Sequence, residues 1–214
     1  MFVLTIDQEG SRQVGDRVDE LLADLAGLLA VGTPGVVRPF ERTVGDEVQA
    51  VLDAADLAVD LALAVLRRGG WSVGIGSGPV DEPLPPTSRA GSGEAFFLAR
   101  AAVERAKSRA RAVPLSIGGV DAPAADDAEA VLMLVAAVAR RRTPAGWEII
   151  DAIAAAGVGT RQEDVAMRLG ISQQAVSQRL RTAHWAEEVA ARPLAARLLV
   201  AAGVERGRRR ADQR

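Results

Sequence analysis

Apolar residues open the chain as a near-solid run, Phe2-Val-Leu-Thr-Ile6, which predicts a buried strand ending at Asp7. Over 14–31 the spacing changes: Val14, Val18, Leu21, Leu22, Leu25, Leu28 and Leu29 recur three and four apart, the period of an amphipathic helix. Gly32, Pro34 and Gly35 break it, 36–43 reads as a strand, Gly45-Asp46 as a tight turn, and 48–52 as the returning strand of a hairpin. A helix follows over 54–68 and stops at Gly69-Gly70, after which Trp71-Ser-Val-Gly-Ile-Gly76 alternates like a strand. The segment 78–93 holds four prolines without periodicity and reads as a loop, 94–111 as a helix, and 113–117 as a last strand. The order β, α, β, β, α, β, α, β predicts an α+β palm, a sheet with helices on one face.

Beyond this point the pattern is helical. Residues 118–127 are small, acidic and proline-containing and read as a linker; helices are expected over 128–141, 145–156, 162–169, 173–191 and 194–204, and the arginine-rich 206–214 as a disordered tail. The chain therefore divides into a palm at 1–119, a linker and connecting helix at 120–143, a helical unit at 144–205 and the tail.

Composition narrows the chemistry. The chain has no cysteine and a single histidine, His184, which excludes disulfides, thiolate zinc sites, a cysteine nucleophile and any site needing two imidazoles. There is no basic signal-peptide start and no unbroken apolar run of ~18 residues, so a cytoplasmic protein without a membrane partner is expected. The net charge of −2 hides an imbalance: 1–139 carries 12 basic and 20 acidic residues, 140–214 carries 14 and 8. An acidic body with a basic end is expected when only that end approaches phosphates.

Within the basic end, 162–181 has the spacing of a helix-turn-helix. Ala166 is small where two helices cross, Gly170 suits a positive φ at the turn, Val165, Leu169, Ile171, Val176 and Leu180 are apolar at the inter-helix contacts, and Ser172 is placed to cap the second helix. That helix then presents Gln173, Gln174, Ser177, Gln178 and Arg181, side chains suited to base edges and phosphates in a major groove. The block resembles the helix-turn-helix of phage repressors and many bacterial regulators; 145–156, with Trp147, Ile149, Ile150 and Ile153, supplies the first helix of its three-helix core. The plain alternative is a helical hairpin with a solvated polar face.

Asp7 at a strand end and Asp46 in the hairpin turn would meet if their strands are neighbours, and two such carboxylates are able to hold a divalent ion on a triphosphate. Taken alone, Asp7 is equally well a strand-end cap and Asp46 a turn residue. The stretches Leu4-Thr-Ile-Asp-Gln-Glu-Gly-Ser11, Gly45-Asp46-Glu47, Val73-Gly-Ile-Gly-Ser-Gly-Pro-Val80 and Gly93 with its following helix resemble, over about 2–117, class III nucleotide cyclases and the related diguanylate cyclases. With the helical end, the whole resembles the SatD-like proteins. The resemblance implies a ferredoxin-like cyclase-type palm, Asp7 and Asp46 as metal ligands, and Mg2+ with a purine nucleotide as the ligand.

It also implies parts that are missing. Phe97 and Ala101 fall where cyclases carry an asparagine and an arginine; a one-residue shift would put Arg100 in the arginine's place, but the chain contains no asparagine at all. Loss of such groups removes transition-state stabilisation more than ground-state binding. The expectation is a DNA-binding transcriptional regulator whose degenerate palm senses a nucleotide or mediates dimerisation, acting on double-stranded DNA as a homodimer. Two alternatives stay open: an active nucleotide cyclase, and a palm with no ligand. Leu132, Leu134, Val135 and Val138, with Leu194, Leu198 and Leu199, fit either a dimer seam or core, and His184 fits either helix packing or a pH switch.

Overall fold

The computed structural model describes residues 1–29, 32–157 and 159–205; the expected tail at 206–214 lies outside them. The fold is mixed α+β, with a five-stranded sheet in the order β2-β3-β1-β4-β5. Its strands are β1 (Phe2–Gln8), β2 (Val36–Arg42), β3 (Glu47–Leu52), β4 (Trp71–Ser77) and β5 (Leu115–Gly119). β1 runs antiparallel to both β3 and β4, whereas β4 and β5 are parallel. Two split β-α-β units thus interleave, β3 lying between β1 and β2 and β1 between β3 and β4. β2 forms an edge, and its pairing with β3 shifts register twice around Pro39, a residue with no N–H for a ladder.

Among the described residues the helices are α1 (Ser11–Val14), α2 (Val18–Leu28), α3 (Ala55–Arg68), α4 (Glu94–Ala106), α5 (Ala122–Ala139), α6 (Pro144–Ala156), α7 (Gln162–Leu169), α8 (Gln173–Thr182) and α9 (Trp185–Ala202). They cover the sheet on both faces, which corrects the one-faced palm expected from the element order. Strand alternation sends Leu4 and Ile6 into a core shared with α2, α3, α5 and α9, and sends Val3 to the other side against Ala95, Phe96 and Ala99 of α4. β4 is buried along its whole length for this reason. Its glycines admit α4 closely: a Cβ on Gly74 would strike Val103 N, and one on Gly76 would strike Ala95 O and Ala99 N.

The expected linker is mostly helix, with one face in the core. Asp121 caps α5 by accepting the Ala124 N–H at 3.2 Å, and Ala124, Ala128, Leu132 and Ala136 join the main core. α9 returns to the same core: Ser77 Oγ donates to Leu199 O at 2.7 Å and Asp121 N to Ala202 O at 2.9 Å. Only α6, α7 and α8 build a separate small core, from Ile149, Ala152, Val165, Ala166 and Val176, with Ile153, Leu169, Ile171 and Leu180 packed against it.

The boundary expected near Arg192 also moves. α8 ends at Thr182 and α9 begins at Trp185, with His184 between them in the left-handed region (φ 51°), while Pro193 is carried inside α9. Arg142, between α5 and α6, locks this junction. Its Nε donates to Ala183 O at 2.7 Å, its Nη2 lies 2.5 Å from Glu188 Oε2, and its guanidinium sits between the Trp147 and Trp185 rings. The Arg142–Glu188 contact is an ion pair without hydrogen-bond alignment, and Arg142 Nη1 is buried with no partner. Among the described residues no helix is long and apolar enough to cross a membrane.

Candidate functional site

Two places bring together the residues singled out from the sequence. The first is the end of the sheet where β1 leaves the core. Register places Asp7 opposite Glu47 of β3 and Ser72 of β4, and Gln8 N donates to Asp46 O at 3.2 Å, so Asp7, Asp46 and Glu47 share one corner. Burial pushes the Asp7 carboxyl above its ordinary value, and the neighbouring Asp46 and Glu47 charges add to that push.

The opposing influence is Lys107, whose Nζ lies 2.9 Å from Asp7 Oδ2 and donates to Glu104 Oε1 at 2.7 Å. Burial lowers the lysine's pKa, but these two carboxylate partners outweigh it and hold the ammonium above its usual value. Glu47 accepts from Thr43 Oγ1 at 2.6 Å and faces Arg100 Nη2 at 3.9 Å. Phe97 and Arg100 are both exposed on α4.

As placed, the corner sets the Lys107 ammonium against Asp7. Asp7 and Asp46 are the only two expected ligands, Lys107 already neutralises one of them, and among the described residues no group of three or more His, Asp or Glu side chains is arranged to hold a metal. Lys107 had carried no role in the sequence reading. Its signal was there: it is the single lysine in a chain with 25 arginines.

The second place is the outer face of α8. Gly170 takes a left-handed conformation (φ 64°) to end α7, and Ser172 caps α8, its Oγ accepting from Ala175 N at 3.2 Å. Ser172, Gln173, Gln174, Gln178 and Arg181 are exposed, and Ser177 is half-buried. Arg181 Nη2 donates to Gln178 Oε1 at 2.9 Å, so these two present one unit. Arg179 instead turns inward to Glu148 of α6 at 2.9 Å.

The positive charge is less concentrated on this face than the sequence arithmetic implies. Residues 206–214 contribute five of the 14 basic residues and one of the eight acidic ones in 140–214. Of the arginines that are described, Arg142, Arg179 and Arg192 are each paired with a carboxylate. His184 is exposed in the α8–α9 turn. The candidate seam residues divide, with Leu132, Val135 and Leu199 buried and Leu134, Val138 and Leu194 exposed.

Compared with family models, with curated proteins and with solved structures, the chain finds no match.

Proposed function

We propose that this protein is a DNA-binding transcriptional regulator in which α7 and α8 form a helix-turn-helix and α8 enters the major groove. The observation that carries this reading is the division of labour on α8. Val176 and Leu180 face a small core shared with α6 and α7, while Gln173, Gln174, Gln178 and Arg181 face solvent from a helix capped by Ser172. A glutamine pair at the N-terminus of α8 and an arginine in its last turn match the bidentate chemistry of adenine edges and the charge of phosphates. A helical hairpin serving only as scaffold has no need of four such side chains free of the core.

The body is read as a cyclase-type, ferredoxin-like palm, supported by the interleaved split β-α-β strand order and by Asp7 and Asp46 at one corner. On this reading the palm senses a ligand or joins two copies rather than turning over substrate, since Phe97 and Ala101 stand in place of transition-state groups. A second copy would set two recognition helices on two half-sites, as a cytoplasmic, nucleoid-associated regulator requires. Magnesium with a purine nucleotide at Asp7 and Asp46 requires Lys107 to release Asp7.

Immunoprecipitation of bound genomic DNA, with and without added nucleotides, tests the regulator reading: enrichment of discrete sites is expected, and uniform background from folded protein overturns it. Calorimetric titration with GTP and ATP, with and without magnesium, tests the palm. Magnesium-dependent binding lost in Asp46→Ala without cyclic product supports the sensor. A cyclic nucleotide formed in proportion to protein makes it an enzyme.

A further inference from the structure

A cleft of about 650 Å3 lies between the end of the sheet and the helical unit, and its walls come from both. Lys107 and the α4–β5 turn form one side, the C-terminal end of α5 the other, and Trp147 of α6 closes one end over the apolar floor of Leu66 and Ala139. Five cations line it against two carboxylates, Asp7 and Glu9. Three of the five are answered: Arg67 by Asp151 at 2.6 Å, Arg111 by Glu129 at 2.6 Å, and Lys107 by Asp7 and Glu104.

The other two are not. Arg109 is exposed and makes no ion pair or hydrogen bond among the described residues. Arg140 spends one N–H on the Ala112 carbonyl and meets no carboxylate among the described residues. That bond holds the Arg140 guanidinium against the same turn that carries Arg109, so the two uncompensated charges line one cleft together with Lys107.

We propose that this cleft is a binding site for a small organic phosphate, a phosphomonoester whose dianion is met by Arg109, Arg140 and Lys107 and whose carbon skeleton lies on Leu66, Ala139 and Trp147. Guanidinium pairs recognise phosphate oxygens through charge-assisted hydrogen bonds, and a mixed cationic and apolar lining discriminates an organic phosphate from the bare ion. The site needs no metal and uses α5 and α6, and it borders the Asp7–Asp46 corner through Asp7 and Lys107. Its existence does not depend on DNA binding; if the regulator reading holds, it is where an effector touches body and helical unit at once.

The test is calorimetric titration of the DNA-free full chain, in chelator, with inorganic phosphate, ribose 5-phosphate and AMP, followed in parallel by tryptophan fluorescence. The expected result is saturable binding of at least one ester, tighter than phosphate, with a fluorescence change lost in Trp147→Phe. Arg109→Ala and Arg140→Ala should each weaken it about tenfold or more, with the remote Arg89→Ala unchanged. Preference for AMP over ribose 5-phosphate assigns the ligand to nucleotides, and the reverse to sugar phosphates. Arg109→Glu, on an exposed side chain without contacts, keeps the test open should Arg140→Ala fail to fold. No binding of any probe at millimolar concentration, or binding indifferent to both Arg109 variants and to Arg140→Ala, overturns the proposal.

Discussion

Three consecutive arginines show how much a single side chain's surroundings decide. Arg140 reaches the α4–β5 turn, Arg141 is exposed, and Arg142 is buried against Glu188 between two indoles. In the sequence they form one basic run, because charge is visible in a sequence and burial of a long side chain is not. The same holds for Glu129, which nothing in the sequence marks. Burial pushes its carboxyl up, but hydrogen bonds from Ser116 Oγ at 2.7 Å, Arg111 at 2.6 Å and Ile117 N at 2.8 Å outweigh that and leave its pKa below the ordinary value. A lowered folded-state pKa means stabilisation that is present above the unfolded value and lost as pH falls through the folded one. Glu129→Gln should therefore cost about 1–3 kcal/mol at neutral pH and progressively less as the solution is acidified. Melting temperatures of both proteins across pH 7 to 3 check this; a constant difference over that range contradicts it.

At the scale of elements, punctuation was legible where glycine or proline writes it and lost where it does not. Gly69-Gly70 ends α3 and Gly170 ends α7 as expected. The α8–α9 break was invisible because His184, with no glycine beside it, makes the turn at positive φ, while Pro193 pointed to a break that α9 passes through. Proline misled a second time at 118–127, where Asp121 and Pro123 start a helix rather than fill a linker. Second-face coverage was missed because glycines read as strand alternation when they were sites of close approach. Gly76→Ala tests that: α4 must move away from β4, at a cost of about 1–3 kcal/mol or more, measurable by urea unfolding. A substitution within ~0.5 kcal/mol of neutral would show that α4 is not seated on β4.

For the whole molecule, the sequence places the acidic body and the basic end correctly in order but not in packing. α5 and α9 enclose the body's core from either side of α6, α7 and α8, so the candidate recognition helix hangs on a unit inserted between two core helices. Arg142 and Glu188 fasten that unit where it joins. The charge needed for DNA is divided as well, since 206–214 holds five arginines. A chain ending at Glu205 should accordingly bind DNA with a shallower salt dependence, each lost phosphate contact lowering the slope of log affinity against log salt by about one. Equal slopes for the two lengths would remove the terminal arginines from the interface.

The central claim is that α8 reads duplex DNA, and the most direct measurement is binding of the full chain to an enriched genomic fragment and to random DNA at two salt concentrations, comparing wild type with Gln174→Ala and Arg181→Ala. The account predicts that binding falls steeply with salt, that Gln174→Ala loses about 1–3 kcal/mol on the enriched site and far less on random DNA, and that Arg181→Ala weakens both alike. No binding by folded protein at low salt, or equal losses on both DNAs for Gln174→Ala, would contradict it.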